Sequence, residues 1–392
     1  QNNYQMHTAF ARGAGRQYGK AWGIDFSMWH DGYMYNPNGY EGWYKSGVLG
    51  NTKTDANCGH SMSLLERSLL MGYMSGANSV VAEAGGAMSL SKDDTDGDGY
   101  YDLTDYGKTV DKVYQFTKRT DVGITYTPVG IVLDYNHGSY AGIQKTLGIG
   151  DEAEKSFFTF DYIAGDQMTK NLAKMIWGND AWMSGSQREA KDEADAMVNN
   201  EEYGDSFDIL LQNADIDVLK SYPVLLLSGE ITLSSDELKC YKKYVNEGGT
   251  LLLNKAYTGQ FGVTSSRSYG AGKYIVYGSS DYDLTGLDTI LKEQIAKYQP
   301  VRIDGNVQYI TSVKDNAIYV ALINNEGVTK KGNKVATVDA SQASGVTVTY
   351  TGKCSVASAT DIYNNIEVAL SEKAATVTVP AGGIAVLEIS LK

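Results

Sequence analysis

The sequence has few cysteines and no excess of positive charge, and both shortages exclude classes of protein. Its three cysteines, Cys58, Cys240 and Cys354, are widely spaced and form neither a CxxC pair nor a Cys–His metal spacing, so no disulfide framework and no zinc site are predicted. The 34 Lys and Arg residues against 47 Asp and Glu residues give a net charge of −13, which argues against nucleic acids and anionic membranes as partners. No apolar run approaches the roughly 18 residues of a transmembrane helix.

Several catalytic and cofactor motifs are also missing. There is no G-x-S-x-G elbow, so a serine hydrolase of that type is not expected. There is no G-x-x-x-x-G-K-[ST] phosphate loop, and Gly13-Ala-Gly15 precedes a predicted strand instead of following one, which is the wrong context for a dinucleotide. We therefore expect no organic cofactor.

The composition that is present favours sugar binding outside the cytoplasm. The chain has 29 Tyr and 5 Trp but only 8 Phe, and rings with a polar edge can stack on a sugar while still forming hydrogen bonds. An acidic chain with 43 Gly is typical of secreted, cell-surface or periplasmic bacterial proteins. Gln1 stands where an initiator Met would be, with no leader before it. We therefore expect the sequence to continue a longer or processed polypeptide.

Residues 1–122 have an α/β rhythm. The spacing of apolar residues predicts helices over His7–Tyr18, Ser61–Met74 and Tyr106–Lys118, and short apolar strands over Ala21–Phe26 and Asn78–Ala82. Repeated helix–strand units of this kind are typical of a parallel (β/α)8 barrel. Because two parallel strands cannot close a barrel or bury both of their faces, this segment is predicted to be only the C-terminal end of one.

The rest of the chain is predicted to form two further domains. In residues 123–300, apolar strands such as Val224–Leu227 alternate with helices such as Ser235–Asn246, which begins with the capping box Ser234–Glu237. This pattern, with a long helical middle over 148–202, indicates a doubly wound α/β sheet. Residues 301–392 change to short, alternating, β-branched strands, including one over Ile366–Leu370. They predict a small antiparallel β-sandwich. The overall fold class is α/β.

An acidic loop predicts a structural Ca²⁺ site. Asp occupies positions 1, 3, 5, 9 and 12 of the 12-residue calcium-loop pattern, Gly occupies position 6, and position 7 supplies a backbone carbonyl. Without a cation the carboxylates would repel one another, although a solvated acidic turn is the alternative interpretation. The predicted ligands are Asp94, Asp96, Asp98, Tyr100, Asp102 and Asp105.

Two carboxylates at predicted strand ends are the candidate catalytic residues. Asp25 ends the first strand and Glu83 follows the second, and such positions face the active-site rim of a (β/α)8 barrel. A carboxylate pair is what cleavage of a glycosidic bond uses. The alternative interpretation of Asp25 is a structural carboxylate that only forms hydrogen bonds. His30 and His60, which are among the predicted substrate-binding residues, also have a structural role as their alternative. The predicted substrate-binding residues are Trp29, His30, Asp31, Tyr33, Trp43 and His60.

The order of barrel end, doubly wound domain and small sandwich resembles family 42 glycoside hydrolases, the β-galactosidases, and related clan A enzymes. The segments that carry the resemblance are 18–25 as a seventh barrel strand, 76–83 as an eighth, and 128–135 as the opening strand of a flavodoxin-like trimerisation domain. Residues 236–252 resemble a helix–strand unit of that domain, and 318–326 resemble the terminal sandwich.

The resemblance implies a retaining β-glycosidase that is β-galactosidase-like, acts on oligo- or polysaccharides and forms a homo-oligomer. In that family the acid/base carboxyl lies on strand four, which would come before Gln1, from a missing N-terminal segment or a second chain. The nucleophile is a Glu on strand seven, where this sequence has Asp25. The calcium loop is not a family feature. The sequence therefore leaves open a barrel family that uses Asp25 or Glu83 differently, or a chain that has lost the chemistry.

Two hypotheses of different classes follow. In the first, the chain is the C-terminal portion of a glycoside hydrolase, with aromatic rings such as Trp29 and Trp43 stacking on sugar. In the second, it is a non-catalytic, calcium-stabilised carbohydrate-binding or assembly protein, in which Asp25 and Glu83 only form hydrogen bonds with hydroxyls. Removing the charge of Glu83 separates the two hypotheses, because only the enzyme would lose turnover.

Overall fold

The computed structural model describes residues 4–26, 33–34, 54–55, 59–82, 89–90, 94–135, 163–178, 193–194, 199–330 and 334–392. The chain forms two compact units, each assembled from three stretches of sequence. Unit 1 comprises Gln1–Ala21, Tyr126–Glu189 and Tyr203–Arg302. Unit 2 comprises Trp22–Thr125, Ala190–Glu202 and Ile303–Lys392.

The described residues contain eight α-helices and 23 strands. The helices are α1 (Tyr4–Tyr18), α2 (Met62–Met74), α3 (Asp105–Arg119), α4 (Ala164–Trp177), α5 (Ile216–Lys220), α6 (Ser235–Asn246), α7 (Thr258–Phe261) and α8 (Leu287–Tyr298). The strands are β1 (Gly23–Phe26), β2 (Tyr33–Met34), β3 (Thr54–Asp55), β4 (Ser79–Ala82), β5 (Ile124–Thr125), β6 (Val129–Leu133), β7 (Glu193–Ala194), β8 (Phe207–Leu211), β9 (Val224–Ser228), β10 (Thr250–Asn254), β11 (Arg267–Tyr269), β12 (Gly272–Tyr277), β13 (Val301–Asp304), β14 (Gln308–Lys314), β15 (Ala317–Ile323), β16 (Val328–Lys330), β17 (Thr337–Val338), β18 (Ser344–Tyr350), β19 (Val356–Asp361), β20 (Ile366–Glu367), β21 (Leu370–Ser371), β22 (Ala374–Val379) and β23 (Ile384–Leu391).

Unit 1 is built on a six-stranded sheet in the order β11-β12-β10-β9-β6-β8. Five of these strands are parallel, and β11 runs antiparallel to β12 at one edge. If the five parallel strands β6, β8, β9, β10 and β12 are numbered 1 to 5 along the chain, their order across the sheet is 2-1-3-4-5. The central strands β6, β9 and β10 are buried at every position, as in a parallel sheet that helices cover on both faces. The apolar runs therefore predicted these strands correctly.

Helix α1 covers the opposite edge of this sheet. Gly13 allows the helix to approach β8 closely, since a Cβ at Gly13 would lie 1.9 Å from the carbonyl oxygen of Ile209. The Gln17 Oε1 accepts a hydrogen bond of 2.8 Å from the backbone N–H of Leu211. An edge strand that is covered in this way cannot pair with another chain.

A buried ionic network fixes α1 at the amino end of β8. The Arg12 guanidinium donates from Nε to Asp208 Oδ1 over 2.6 Å and from Nη1 to Asp205 Oδ2 over 2.7 Å. Its Nη2 donates to Asp205 Oδ1 and to the carbonyl of Phe207, each over 2.9 Å. Arg12, Asp205 and Asp208 are almost fully buried, so the charges balance each other away from water.

Unit 2 is dominated by antiparallel sheets. The larger sheet has the order β20-β19-β23-β15-β14-β5, and a second has the order β13-β18-β22-β21. Val320, Val348 and Val386 are among the fully buried side chains of these strands. The unit also contains the three-stranded sheet β17-β16-β7 and two parallel pairs, β1-β4 and β2-β3.

The structure differs from the sequence-based expectations at three places. Helix α1, predicted with the first segment, packs in unit 1 because most of its contacts are with β8. The single strand predicted over Ile366–Leu370 is wrong: β20 and β21 lie in different sheets. In the predicted helical middle over 148–202, the described residues contain one helix, α4, together with the short strand β7.

Candidate functional site

The two strands that carry the predicted catalytic carboxylates pair side by side. β1 and β4 are parallel, with Gly23 opposite Ser79 and Asp25 opposite Val81. These four residues are exposed, because alternate residues of a strand point to one face. Asp25 and Val81 therefore lie on the exposed face of the pair.

The other face of the pair packs on α2. Gly72 of α2 makes the contact possible, since a Cβ there would lie 2.9 Å from Val80 Cγ2 and 3.0 Å from Ile24 Cγ2. Phe26 is fully buried at the end of β1. The hydroxyl of Ser61 caps α2 by accepting a hydrogen bond from the N–H of Leu64 over 3.0 Å. Helix α2 and strands β1 and β4 together form one local α/β layer.

Glu83 lies one residue beyond the end of β4 and outside the described residues. The parallel register places the ends of the two strands at the same level, since Phe26 is opposite Ala82. Asp25 therefore lies beside Val81, one residue before the end of each strand. The catalytic carboxylate pair stays a prediction.

The predicted substrate-binding residues fall mostly outside the described part of the chain. His60 is half-buried and directly precedes Ser61, the N-cap residue of α2. Tyr33 begins β2, whose backbone pairs with β3. The predicted residues that lie outside the described residues are Trp29, His30, Asp31 and Trp43.

The acidic loop brings three predicted calcium ligands together. One carboxylate oxygen each from Asp94, Asp96 and Asp98 lies within 4.8 Å of the other two, and all three residues are exposed. Gly99, at position 6, has a φ of 89°, where glycine is favoured, and its N–H donates to Asp94 Oδ2 over 3.0 Å. Three converging hard oxygens and a tight turn at the glycine fit a Ca²⁺ ion.

The last two predicted carboxylate ligands have other partners in this structure. The backbone N–H and the hydroxyl of Thr95 donate to Asp102 Oδ2, over 3.2 and 2.7 Å. Asp105 is the first residue of α3 and pairs with Lys108 at 3.5 Å. Tyr100 is exposed within the loop, and its N–H donates to Asp98 Oδ1 over 2.8 Å.

A second polar cluster, which the sequence analysis did not predict, lies at the carboxyl edge of the unit 1 sheet. Asp134 follows β6 directly, and Gly229 and Glu230 follow β9. Asp134 is 6% exposed and the last residue of β9, Ser228, is fully buried. The sequence could have indicated this cluster, because Asp134 directly follows the apolar strand β6. Doubly wound sheets bind ligands at the carboxyl ends of such strands.

Within the described residues, no helix is both long and apolar enough to cross a membrane.

No protein-family model and no curated protein matches this sequence. Solved structures do match in fold. An α-L-fucosidase isoenzyme 2 from Paenibacillus thiaminolyticus aligns with 99% of this chain and 63% of its own length, with a TM-score of 0.51 and 10% identity. A β-galactosidase from Bacillus circulans sp. alkalophilus aligns with 99% of this chain and 58% of its own length, with a TM-score of 0.52 and 11% identity.

The chain thus spans about three fifths of the length of these two solved structures. At 10–11% identity the likeness concerns the fold and not the residues of the site. It agrees with the α/β class predicted from the sequence. The chain shares an α/β fold with solved glycoside hydrolases.

Proposed function

We propose that this chain is part of a retaining β-glycosidase, β-galactosidase-like, in which β1 and β4 are the seventh and eighth strands of a (β/α)8 barrel. The observation that carries the proposal is the parallel pairing of β1 with β4, which aligns Asp25 with Val81, two positions before Glu83. The exposure of Asp25 and Val81 supports it, since a two-stranded parallel sheet needs further strands to bury its second face.

The proposal assigns the attacking role to one of the two carboxylates, Asp25 or Glu83. One of them attacks the anomeric carbon, the glycosidic bond breaks, and a second carboxyl group protonates the leaving oxygen. Water then hydrolyses the glycosyl-enzyme intermediate with the roles of acid and base exchanged. In a retaining enzyme the two carboxyl groups lie about 5–5.5 Å apart. Strand four of the complete barrel would supply the acid.

The order of the sheets supports the remaining domain assignments. The 2-1-3-4-5 order in unit 1 is the flavodoxin-like order, and we assign it to a domain of the trimerisation type that forms homo-oligomer contacts. We assign the two larger antiparallel sheets of unit 2 to the terminal β-sandwich. The predicted rings of residues 29, 33 and 43 would stack on the sugar substrate.

Glu83→Gln tests the proposal, because it keeps the shape of the side chain and removes its charge. In the complete native protein, turnover of aryl β-glycosides should fall by orders of magnitude, as expected when a catalytic carboxylate is lost. The matched control is Glu367→Gln, an exposed residue of β20 in an antiparallel sheet, which should leave the rate unchanged. Unchanged rates in both Glu83→Gln and Asp25→Asn would contradict the enzyme and favour the carbohydrate-binding protein.

We also propose that the acidic loop binds one structural Ca²⁺ ion. Asp94, Asp96 and Asp98 would provide the first oxygens and the carbonyl of Tyr100 a further one, while Asp102 and Asp105 would exchange their present partners for the ion. Position 12 is Asp instead of Glu, so its reach is shorter and the affinity modest. Such an affinity suits the calcium concentrations outside the cell, in line with a secreted protein.

Calorimetric titration of Ca²⁺ into chelator-treated protein tests this site. We expect a single binding event that becomes at least about tenfold weaker in the double variant Asp96→Asn/Asp98→Asn, because ligand charge sets the affinity. Asp217→Asn, an exposed position of α5, is the control and should bind like the wild type. Equal binding by both variants would place the calcium elsewhere.

A further inference from the structure

Two hydrogen bonds join the residue before β1 to the residue before β4. The backbone N–H of Trp22 donates to Asn78 Oδ1 over 3.1 Å. In return, the backbone N–H of Asn78 donates to the carbonyl oxygen of Trp22 over 2.9 Å. Asn78 is exposed and Trp22 is half-buried. This reciprocal contact, the Trp22–Asn78 pair, lies at the amino end of the two-stranded parallel sheet.

The end of helix α2 fixes the backbone from which the Asn78 side chain starts. The N–H of Gly76 donates to the carbonyl oxygen of Tyr73 over 2.9 Å, and the N–H of Ala77 donates to that of Gly72 over 3.1 Å. Gly76 has a φ of 85°, the left-handed conformation with which helices commonly end. Asn78 therefore follows directly on a hydrogen-bonded helix end.

The two strands are short, so a single hydrogen bond matters to their register. β1 and β4 have four residues each, and a two-stranded sheet is only marginally stable by itself. The ladder pairs Gly23 with Ser79 as its first residues. The Trp22–Asn78 pair extends this ladder by one position and contributes a side-chain hydrogen bond that the backbone alone does not provide.

The register decides on which face of the sheet Asp25 lies. Asp25 is exposed, whereas Ile24 faces α2, since a Cβ at Gly72 would lie 3.0 Å from Ile24 Cγ2. A slip of β1 by one residue would turn Asp25 towards α2 and Ile24 towards the exposed face. The apolar packing on α2 therefore excludes a slip by one residue.

A slip by two residues is excluded less sharply by packing, because every side chain stays on its own face. At about 3.3 Å per residue, such a slip would carry Asp25 about 6.6 Å along β4. The two carboxyl groups of a retaining glycosidase lie about 5–5.5 Å apart, so this shift would exceed their whole separation. The Trp22–Asn78 pair opposes the slip, because its two residues would no longer lie opposite each other.

We propose that Asn78 is a positioning residue, which holds β1 and β4 in the register that sets Asp25 beside Val81. The catalytic consequence rests on the proposed glycosidase function, whereas the register is a property of the fold. The Asn78 side chain acts through Oδ1, which accepts the hydrogen bond from Trp22. An aspartate supplies the same acceptor and an alanine does not.

Asn78→Ala and Asn78→Asp test the proposal in the complete native protein, by hydrogen exchange of β1 and by turnover of aryl β-glycosides. In Asn78→Ala, the β1 amides should exchange about three- to tenfold faster, the effect of one lost hydrogen bond. The kcat should fall about tenfold or more, because a displaced carboxylate reacts slowly, while KM changes less than about twofold. Asn78→Asp should restore both exchange and kcat.

The matched control is Ser79→Ala, the adjacent exposed residue of β4, which should behave like the wild type. Peptides from β18, in another sheet of unit 2, should exchange at the wild-type rate in every variant. This second measurement separates a change of register from a general loss of the fold.

Three results would overturn the proposal. They are wild-type exchange of β1 in Asn78→Ala, equal impairment of Asn78→Asp and Asn78→Ala, and acceleration of β18 exchange to the same extent as that of β1. Faster β1 exchange with an unchanged kcat would also overturn it, because the register would then not govern the reaction. An inactive wild type would contradict the proposed glycosidase function, while the exchange rates would still decide whether Asn78 holds the register.

Discussion

Replacing Arg12 by Met should destabilise unit 1 severely. The guanidinium donates two hydrogen bonds to Asp205, one to Asp208 and one to the carbonyl of Phe207. Asp208 keeps Arg16, Thr127 and Tyr222 as partners, but Asp205 loses both of these charge-assisted bonds. Removing one member of a buried ionic network costs about 3–5 kcal/mol, because it leaves a buried charge uncompensated.

The loss should depend on pH in a defined direction. Burial by itself would raise the pKa of Asp208, but Arg12, Arg16 and the Tyr222 hydroxyl outweigh it and hold that pKa below its ordinary value. The wild-type carboxylate therefore stabilises the fold above the unfolded pKa, and this stability is lost as the pH falls through the lowered folded pKa. The difference between Arg12→Met and wild type should be largest near neutral pH and shrink below about pH 4.

Hydrogen exchange of the full chain measures this effect, because peptides from α1 and β8 report the opening free energy of unit 1. The control is Arg267→Met on the exposed edge strand β11, which should change stability by less than about 0.5 kcal/mol. If Arg12→Met lost no more than the control, or lost the same amount at every pH, the network would not be what holds α1 on β8.

Two further predictions follow from local surroundings. Gly13→Ala should lower the free energy of unfolding by about 1–3 kcal/mol, since its Cβ would meet the Ile209 carbonyl. Gly259→Ala in α7, with open space around it, should be neutral or stabilising by up to about 1 kcal/mol. Urea unfolding measures both variants, and equal effects would refute the close approach of α1 to β8. Exposed Cys354 should react with iodoacetamide before Cys240, because burial and the charge of Asp215 raise the pKa of the half-buried Cys240 thiol. Peptide mass mapping after a short pulse would detect the reverse order.

Local features of the fold could be predicted from sequence. The capping box Ser234–Glu237 is confirmed, with both of its hydrogen bonds present at the start of α6. The apolar runs at β6, β9 and β10 predicted buried strands because strands buried on both faces need no polar alternation. The parallel pairing of β1 with β4 is likewise confirmed.

Long-range pairing could not be predicted from the same patterns. The strand Val356–Asp361 was missed because its small and polar residues carry little apolar alternation. Arg12 and Asp208 are 196 positions apart, so no local pattern assigns α1 to unit 1. The candidate site was predictable only as two strand ends and an acidic loop.

The attachment of α1 to β8 also has a consequence for synthesis of the protein. The helix leaves the ribosome about 190 residues before the strand that it covers, which at roughly 5–20 residues per second is a delay of about 10 to 40 s. During this time its apolar residues Tyr4, Met6 and Ala9, all buried in the finished protein, cannot yet pack beside β8. Unit 1 can therefore complete its folding only after part of the unit 2 sequence has emerged.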